Sequence, residues 1–83
     1  MRTNCKASSL INNEKIRVTR FDFAPNEETG WHEHEFDYVI TILTDCKMLL
    51  ENPDGSNTSA EFFAGYVYER KQGVRHNVIN ASD

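Results

Sequence analysis

Apolar and polar residues alternate along most of this chain, and they do so with a period of two. Ile16, Val18, Phe21 and Phe23 are set against Arg17, Thr19, Arg20 and Asp22, which predicts a strand that slips register near Arg20. Pro25-Asn26 stops it, and Glu27-Glu28-Thr29-Gly30 reads as a loop. Trp31 through Leu43 is rich in aromatic and β-branched residues and predicts a long strand; Lys47–Glu51 follows after a turn at Thr44-Asp45. Asn52-Pro53-Asp54-Gly55 is a strong turn signal, with Gly at the position that tolerates positive φ. Further strands are expected at Thr58–Phe63, Tyr66–Tyr68 and Arg75–Asn80, separated by turns at Ala64-Gly65 and Gln72-Gly73. No segment sustains a helical period of 3.6 with caps. Many short strands at roughly ten-residue spacing predict an all-β fold, an antiparallel β-sandwich or barrel. Residues 1–15 are polar and weakly patterned, so a loose N-terminal arm or edge segment is expected there, ahead of a single domain over 16–83.

The same period decides where the candidate chemistry points. Side chains at i and i+2 of a strand share a face. Within Trp31–Leu43 one face then carries His32, His34, Phe36, Tyr38, Ile40 and Ile42, and the other carries Trp31, Glu33, Glu35, Asp37, Val39 and Thr41. The two histidines thus look into an apolar face, while the three acids turn away from it as a solvated strand surface. The third histidine of the chain, His76, follows the Gln72-Gly73 turn. Three imidazoles converging on one point, with coordination positions left over, suit a divalent transition metal that does chemistry.

Composition narrows the partners. At 83 residues the chain is one small domain, of a size that buries only about 60% of its unfolded surface and leans on a metal, disulfides or a second subunit. A net charge of −4 argues against a nucleic-acid or anionic-membrane surface, which would want clustered Lys and Arg. No apolar run is long enough to span a membrane, and Met1-Arg2-Thr3-Asn4-Cys5-Lys6 lacks the apolar stretch of a signal peptide. Cys5 and Cys46 do not form a disulfide framework and read as reduced thiols, so a cytoplasmic protein is expected. Neither cysteine has a His at fixed local spacing, which leaves little for a cysteine-nucleophile hydrolase.

Two motifs resemble the cupin superfamily. Its second motif, G-x5-P-x-G-x2-H-x3-N, is met by Gly65, Gly73, His76 and Asn80, with Lys71 where proline is usual. Its first, G-x5-H-x-H-x3-E-x6-G, is met by His32 and His34, with Asn26 and Asp45 in place of the glycines and Tyr38 in place of the glutamate. Asn and Asp are the residues that best replace glycine at left-handed backbone positions, so these two exchanges are expected to keep the turns. Thr29 through Val39 and Gly73 through Asn80 further resemble small single-domain bacterial cupins, some of them associated with β-alanine degradation.

The resemblance implies a cupin jelly roll holding Fe, Mn, Ni or Zn on His32, His34 and His76, with Tyr38 or a water where the usual glutamate ligand would stand. A small metal-dependent enzyme acting on a small organic acid is the reading it favours, of dioxygenase, lyase or isomerase type. A non-catalytic small-molecule-binding or sensing module is the alternative, since fold alone does not separate the two. Tyr38 is the nearest candidate acid or base. Arg70, Arg75 and Tyr68 are candidates for holding an anionic ligand, with solvated loop charge and barrel packing as their plainer roles. Cupins commonly continue beyond the last motif asparagine, whereas Asn80 is followed here by three residues. A homodimer that covers a sheet edge is therefore expected, with Phe21, Phe23, Phe62 and Phe63 near the contact.

Overall fold

The computed structural model describes residues 2–82; Met1 and Asp83, the outer residues of the expected arm and domain, lie outside them. Eight strands follow in order: β1 Lys6–Asn12, β2 Arg17–Asp22, β3 His32–Glu33, β4 Tyr38–Thr41, β5 Cys46–Glu51, β6 Asn57–Phe62, β7 Val67–Arg70 and β8 Arg75–Asn80. All pair antiparallel, and no helix occurs among the described residues. They form a four-stranded sheet in the order β3-β8-β5-β6 and two ribbons, β1-β2 and β4-β7. The expected all-β antiparallel fold is what the chain adopts; a closed barrel is not found among the described residues.

β8 holds the centre of the four-stranded sheet. On one side it pairs with β5, from Met48↔Asn80 to Glu51↔Asn77, and on the other with β3. The pairing with β3 continues past both its ends. His34 donates its N–H to the Val74 carbonyl at 2.9 Å, Thr29 to Val78 at 2.9 Å and Asn26 to Asn80 at 2.9 Å. Glu27-Glu28-Thr29, expected as loop, is thus tied to the ladder through its backbone. Outside it lies residue 4, bridged to Glu28 in parallel. Flanked on both sides, β8 supplies the one buried large apolar residue among those described, Ile79, together with buried His76, Asn77 and Asn80.

The side-chain N–H groups of the two buried asparagines find partners locally. Asn77, 2% exposed, donates its side-chain N–H groups to Glu28 Oε1 at 2.8 Å and Glu51 Oε1 at 2.7 Å. Arg2 approaches the same two carboxylates at 3.3 and 3.7 Å, joining the N-terminal segment to the sheet. Asn77 Oδ1 has no hydrogen-bond partner. Asn80 donates to the Phe23 carbonyl at 3.2 Å and accepts from the Ser82 N–H at 2.9 Å, which pins the corner after β2.

Three sequence expectations are corrected. The single strand over Trp31–Leu43 is broken by a bend at Glu35-Phe36, because β3 belongs to the four-stranded sheet and β4 to the ribbon with β7. The chain changes sheets there, and Phe36 leaves the inward row to become 62% exposed. The register slip near Arg20 is absent: β2 pairs continuously from Arg17 to Asp22, and the irregularity lies on β1 between Ser9 and Ile11. Neither face of β2 is deeply buried, so nothing compels its apolar residues onto one side. Of the two glycine replacements, Asn26 has φ 67° and is the one non-glycine residue with positive φ among those described. Asp45 has no positive φ; it works instead through its carboxylate, which accepts the Ala64 N–H at 2.8 Å.

Replacing Ile79 by Ala removes the buried apolar side chain of the central strand and is expected to cost about 2–4 kcal/mol. Val39→Ala, at a position 67% exposed, should stay within about 0.5 kcal/mol of the parent. Urea unfolding of the two variants checks the contrast.

Candidate metal centre

His32 and His76 face each other directly across the β3–β8 ladder. His34 lies two residues further along, outside β3, yet its backbone remains paired: its N–H bonds to Val74 and its carbonyl accepts the Gly73 N–H at 2.8 Å. Gly73 makes this possible at φ 91°, a left-handed conformation that closes the turn into β8. Two local rules therefore converge. The period-two alternation puts His32 and His34 on one face, and the Gly73 turn brings His76 back to that face.

The three side chains meet tip to tip. His32 Nε2 lies 3.0 Å from His34 Nε2, which lies 3.3 Å from His76 Nε2. Their candidate ligand atoms all fall within 4.8 Å of one another. An ion about 2.0–2.1 Å from each nitrogen sets neighbouring nitrogens about 3.0 Å apart at right angles and about 3.4 Å apart at the tetrahedral angle. The spacing fits a divalent transition ion.

Protonation supports the same fit. His32 Nδ1 lies 2.8 Å from the Gly30 carbonyl, which can only accept, so Nδ1 carries the proton. In neutral His32 the lone pair is then on Nε2 and faces the other two rings, the tautomer a metal requires. Thr29 supports the arrangement: its hydroxyl donates to the Gly30 carbonyl at 2.9 Å and accepts the Val78 N–H at 3.1 Å. Burial pushes the His76 pKa down from 6.5 to about 4, helped by the neighbouring His32, His34 and Arg70 charges. His34 is lowered as well, by burial and then by His32. His34 and His76 thus favour the unprotonated form.

Tyr38 does not aim at this cluster as a ligand in the manner of a carboxylate. Its ring stacks on His34 at 3.7 Å between centroids and 13° between planes. The hydroxyl is buried without a partner, and burial raises its pKa, so it remains a phenol at neutral pH. Directly across the β4–β7 ribbon from Tyr38 stands Arg70, on the same face. The Arg70 guanidinium lies 4.7 Å from the Tyr68 ring centre, and its charge acts on both Tyr38 and His76. Tyr68 in turn stacks on Phe62 at 5.2 Å and 10°, and burial raises its pKa too.

Arg75 is placed elsewhere. It alternates with His76 along β8, pairs across from Glu33 and lies 5.6 Å from the Trp31 ring centre, on the face opposite the histidines. Glu33, Glu35 and Asp37 are exposed; Asp37 accepts the Gln72 N–H at 2.9 Å and sits 3.9 Å from Lys71. Cys5 and Cys46 are free thiols whose pKa values are raised chiefly by burial. Thr29 and the Gly30 carbonyl were not legible as site components, since a backbone acceptor leaves no residue-type signature.

The metal-free protein should lose stability in acid through His76. Above about pH 6.5 both folded and unfolded chains carry it neutral, and it contributes no pH dependence. Below that, the unfolded chain takes up a proton that the folded chain refuses until about pH 4. Unfolding midpoints in urea are expected to fall across this window, and His76→Phe should flatten that part of the profile.

Comparison with known proteins agrees with the geometry. No family model matches the chain. The β-alanine degradation protein BauB of Pseudomonas aeruginosa is 51% identical over 72 residues, which span 87% of this chain and 75% of that protein. The crystal structure of a cupin domain from Bordetella pertussis superposes with a TM-score of 0.93 at 42% identity, covering 100% of this chain and 85% of the other. With that identity over its whole length, and with the three motif histidines gathered at one point, this chain belongs to the cupin superfamily.

Proposed function

We propose that this cupin, a jelly-roll sandwich in architecture, binds a divalent transition metal (Fe, Mn, Ni or Zn) on His32, His34 and His76 and acts with it on a small organic acid. The carrying observation is the tip-to-tip set of Nε2 atoms at 3.0 and 3.3 Å, with no carboxylate in the cluster among the described residues. Three neutral ligands leave the ion its full positive charge and open positions, which suits an anionic substrate better than a fourth glutamate would. Such an ion, when bound, polarises a coordinated oxygen of the substrate.

The surrounding residues have separable tasks. Arg70 offers a guanidinium to a substrate carboxylate at the mouth of the site, and its position over Tyr68 supports that orientation. Tyr38 keeps its proton and presents a buried hydroxyl without a protein partner, which makes it the nearest group able to donate to a substrate oxygen. Its ring, stacked on His34, also restrains that imidazole. Short carboxylic acids are the ligand class to test first, β-alanine among them in view of the name of the Pseudomonas relative. A binding or sensing role without turnover remains the second reading, supported by the absence of a glutamate that could serve as ligand and base at position 38.

Purified protein reconstituted with Fe, Mn, Ni or Zn is expected to hold about one ion per chain at neutral pH, with binding lost in acid as protons compete for the imidazoles, at His76 only towards about pH 4. His76→Ala should abolish binding in a chain that still folds by circular dichroism. Retention of metal by the triple His→Ala variant at parental affinity would remove the site from these residues.

For the ligand, Arg70→Gln should weaken carboxylate binding by about tenfold to a hundredfold, the worth of a charge-assisted hydrogen bond, while Arg75→Gln leaves it unchanged. Calorimetry on a panel of short acids reads this directly. Oxygen-uptake and product assays on the acids that bind then decide between turnover and sensing.

A further inference from the structure

We propose that the acid bound at this site carries an oxygen function beside its carboxylate (a hydroxyl, a carbonyl or a second carboxylate) and no ammonium group, an inference that rests on the metal and Arg70 reading given above. The register of the strands fixes which residues look into the space between the four-stranded sheet and the β4–β7 ribbon. On the sheet that face runs along the ladder from His32 to His76 and from Val78 to Leu50, and reaches Phe62 across from Cys46 at the far edge. On the ribbon it carries Tyr38 across from Arg70 and Ile40 across from Tyr68. The stacks of Tyr38 on His34 and of Tyr68 on Phe62 show that these two surfaces face each other.

Among the described residues the facing surfaces carry one guanidinium, Arg70, and no carboxylate. The acids of the same strands fall on the alternate positions. Glu33 lies across from Arg75, Glu61 across from Lys47 and Glu69 across from Val39. Glu51 accepts from Asn77 at 2.7 Å, on the face away from His76. At the bend, Glu35 is exposed and Asp37 is held by the Gln72 N–H at 2.9 Å. In a chain of net charge −4, the pleat sorts the carboxylates away from this space.

A ligand ammonium would find no counter-charge there. It can only donate, and a divalent ion on the histidines would add to the repulsion from Arg70. Cation–π contact does not replace the missing acid. The Tyr38 ring stacks on His34, and the Tyr68 ring is engaged by Phe62 at 5.2 Å and by Arg70 at 4.7 Å. Ligand oxygens fare differently. Arg70 offers several N–H groups, and the Tyr38 hydroxyl is buried with no partner of its own. A carboxylate and a second oxygen on one short chain match these donors.

Calorimetry on the zinc-loaded protein at neutral pH tests the proposal, with zinc content measured after each titration. Zinc is redox-inert, so binding is read without oxidation of the ligand. The probes are malonate, 3-hydroxypropanoate, propanoate and β-alanine, which differ at one end. The hydroxy acid and malonate are expected to bind about tenfold or more tightly than β-alanine, the consequence of leaving a charge unpaired, with propanoate between them. Ile40→Glu places a carboxylate on the inner face and should close that gap; if it does not fold, the ranking on the parent decides. β-Alanine bound as tightly as 3-hydroxypropanoate, or a folded Ile40→Glu variant with the parental ranking, would overturn the inference and leave the metal and Arg70 reading in place. Failure of every one of these acids to bind a chain that holds zinc on its histidines would remove the organic-acid reading itself, and the inference with it.

Discussion

The backbone ladder on the two sides of β8 is the constraint on which the rest of the molecule depends. A strand of six residues is hydrogen-bonded to β5 on one edge and to the 26–34 segment on the other, so its register sets that of both neighbours. That register puts His32 opposite His76 and leaves Asn77 pointing away between Glu28 and Glu51. One face of β8 therefore carries its histidine towards His32 and His34, and the other is the polar clasp that holds the N-terminal segment. The functional and structural roles of neighbouring residues are separated by the pleat alone.

This arrangement leaves little room for an ordinary apolar core. Ile79 is the buried large hydrophobic residue among those described, and the other buried positions of β8 are His76, Asn77 and Asn80. Buried polar groups cost several kcal/mol unless hydrogen-bonded, so the network around Asn77 and Asn80 carries a load that aliphatic packing carries in larger domains. The histidines cannot be satisfied by one another in the same way. Three nitrogens at 3.0–3.3 Å share at most one proton in each gap, whereas a single cation satisfies all three at once. Metal binding and the stability of this small sheet are thus expected to be coupled.

Replacement of the usual cupin glutamate by Tyr38 changes the electrostatics more than the shape of the site. A carboxylate would neutralise part of an ion's charge; a phenol that keeps its proton does not, and here its ring lies flat against His34. Arg70, opposite Tyr38 on the next strand, adds a further positive charge near the same point. A phenol that keeps its proton and a guanidinium beside the imidazoles, with no carboxylate at position 38, make an environment that favours an anion.

Several of these features were legible in the residue order because they are local. Alternation with period two is a steric property of consecutive residues, so His32 and His34 could be placed on one face from their spacing. Glycine and asparagine mark left-handed backbone for equally local reasons, and Gly73 and Asn26 adopt it. The strand Arg75–Asn80 was readable to its ends. What only the tertiary structure decided is non-local. Strand partnership turned Trp31–Leu43 into two strands in different sheets and expelled Phe36, because a period says which residues share a face but not where the chain must change sheets. The same limit applies to Arg70 and Arg75, which look alike in sequence. Pairing with Tyr38 puts one beside the site, and pairing with Glu33 puts the other on the far face. The Gly30 carbonyl that sets the tautomer of His32 has no side chain to announce it; only the closed ladder brings it within 2.8 Å.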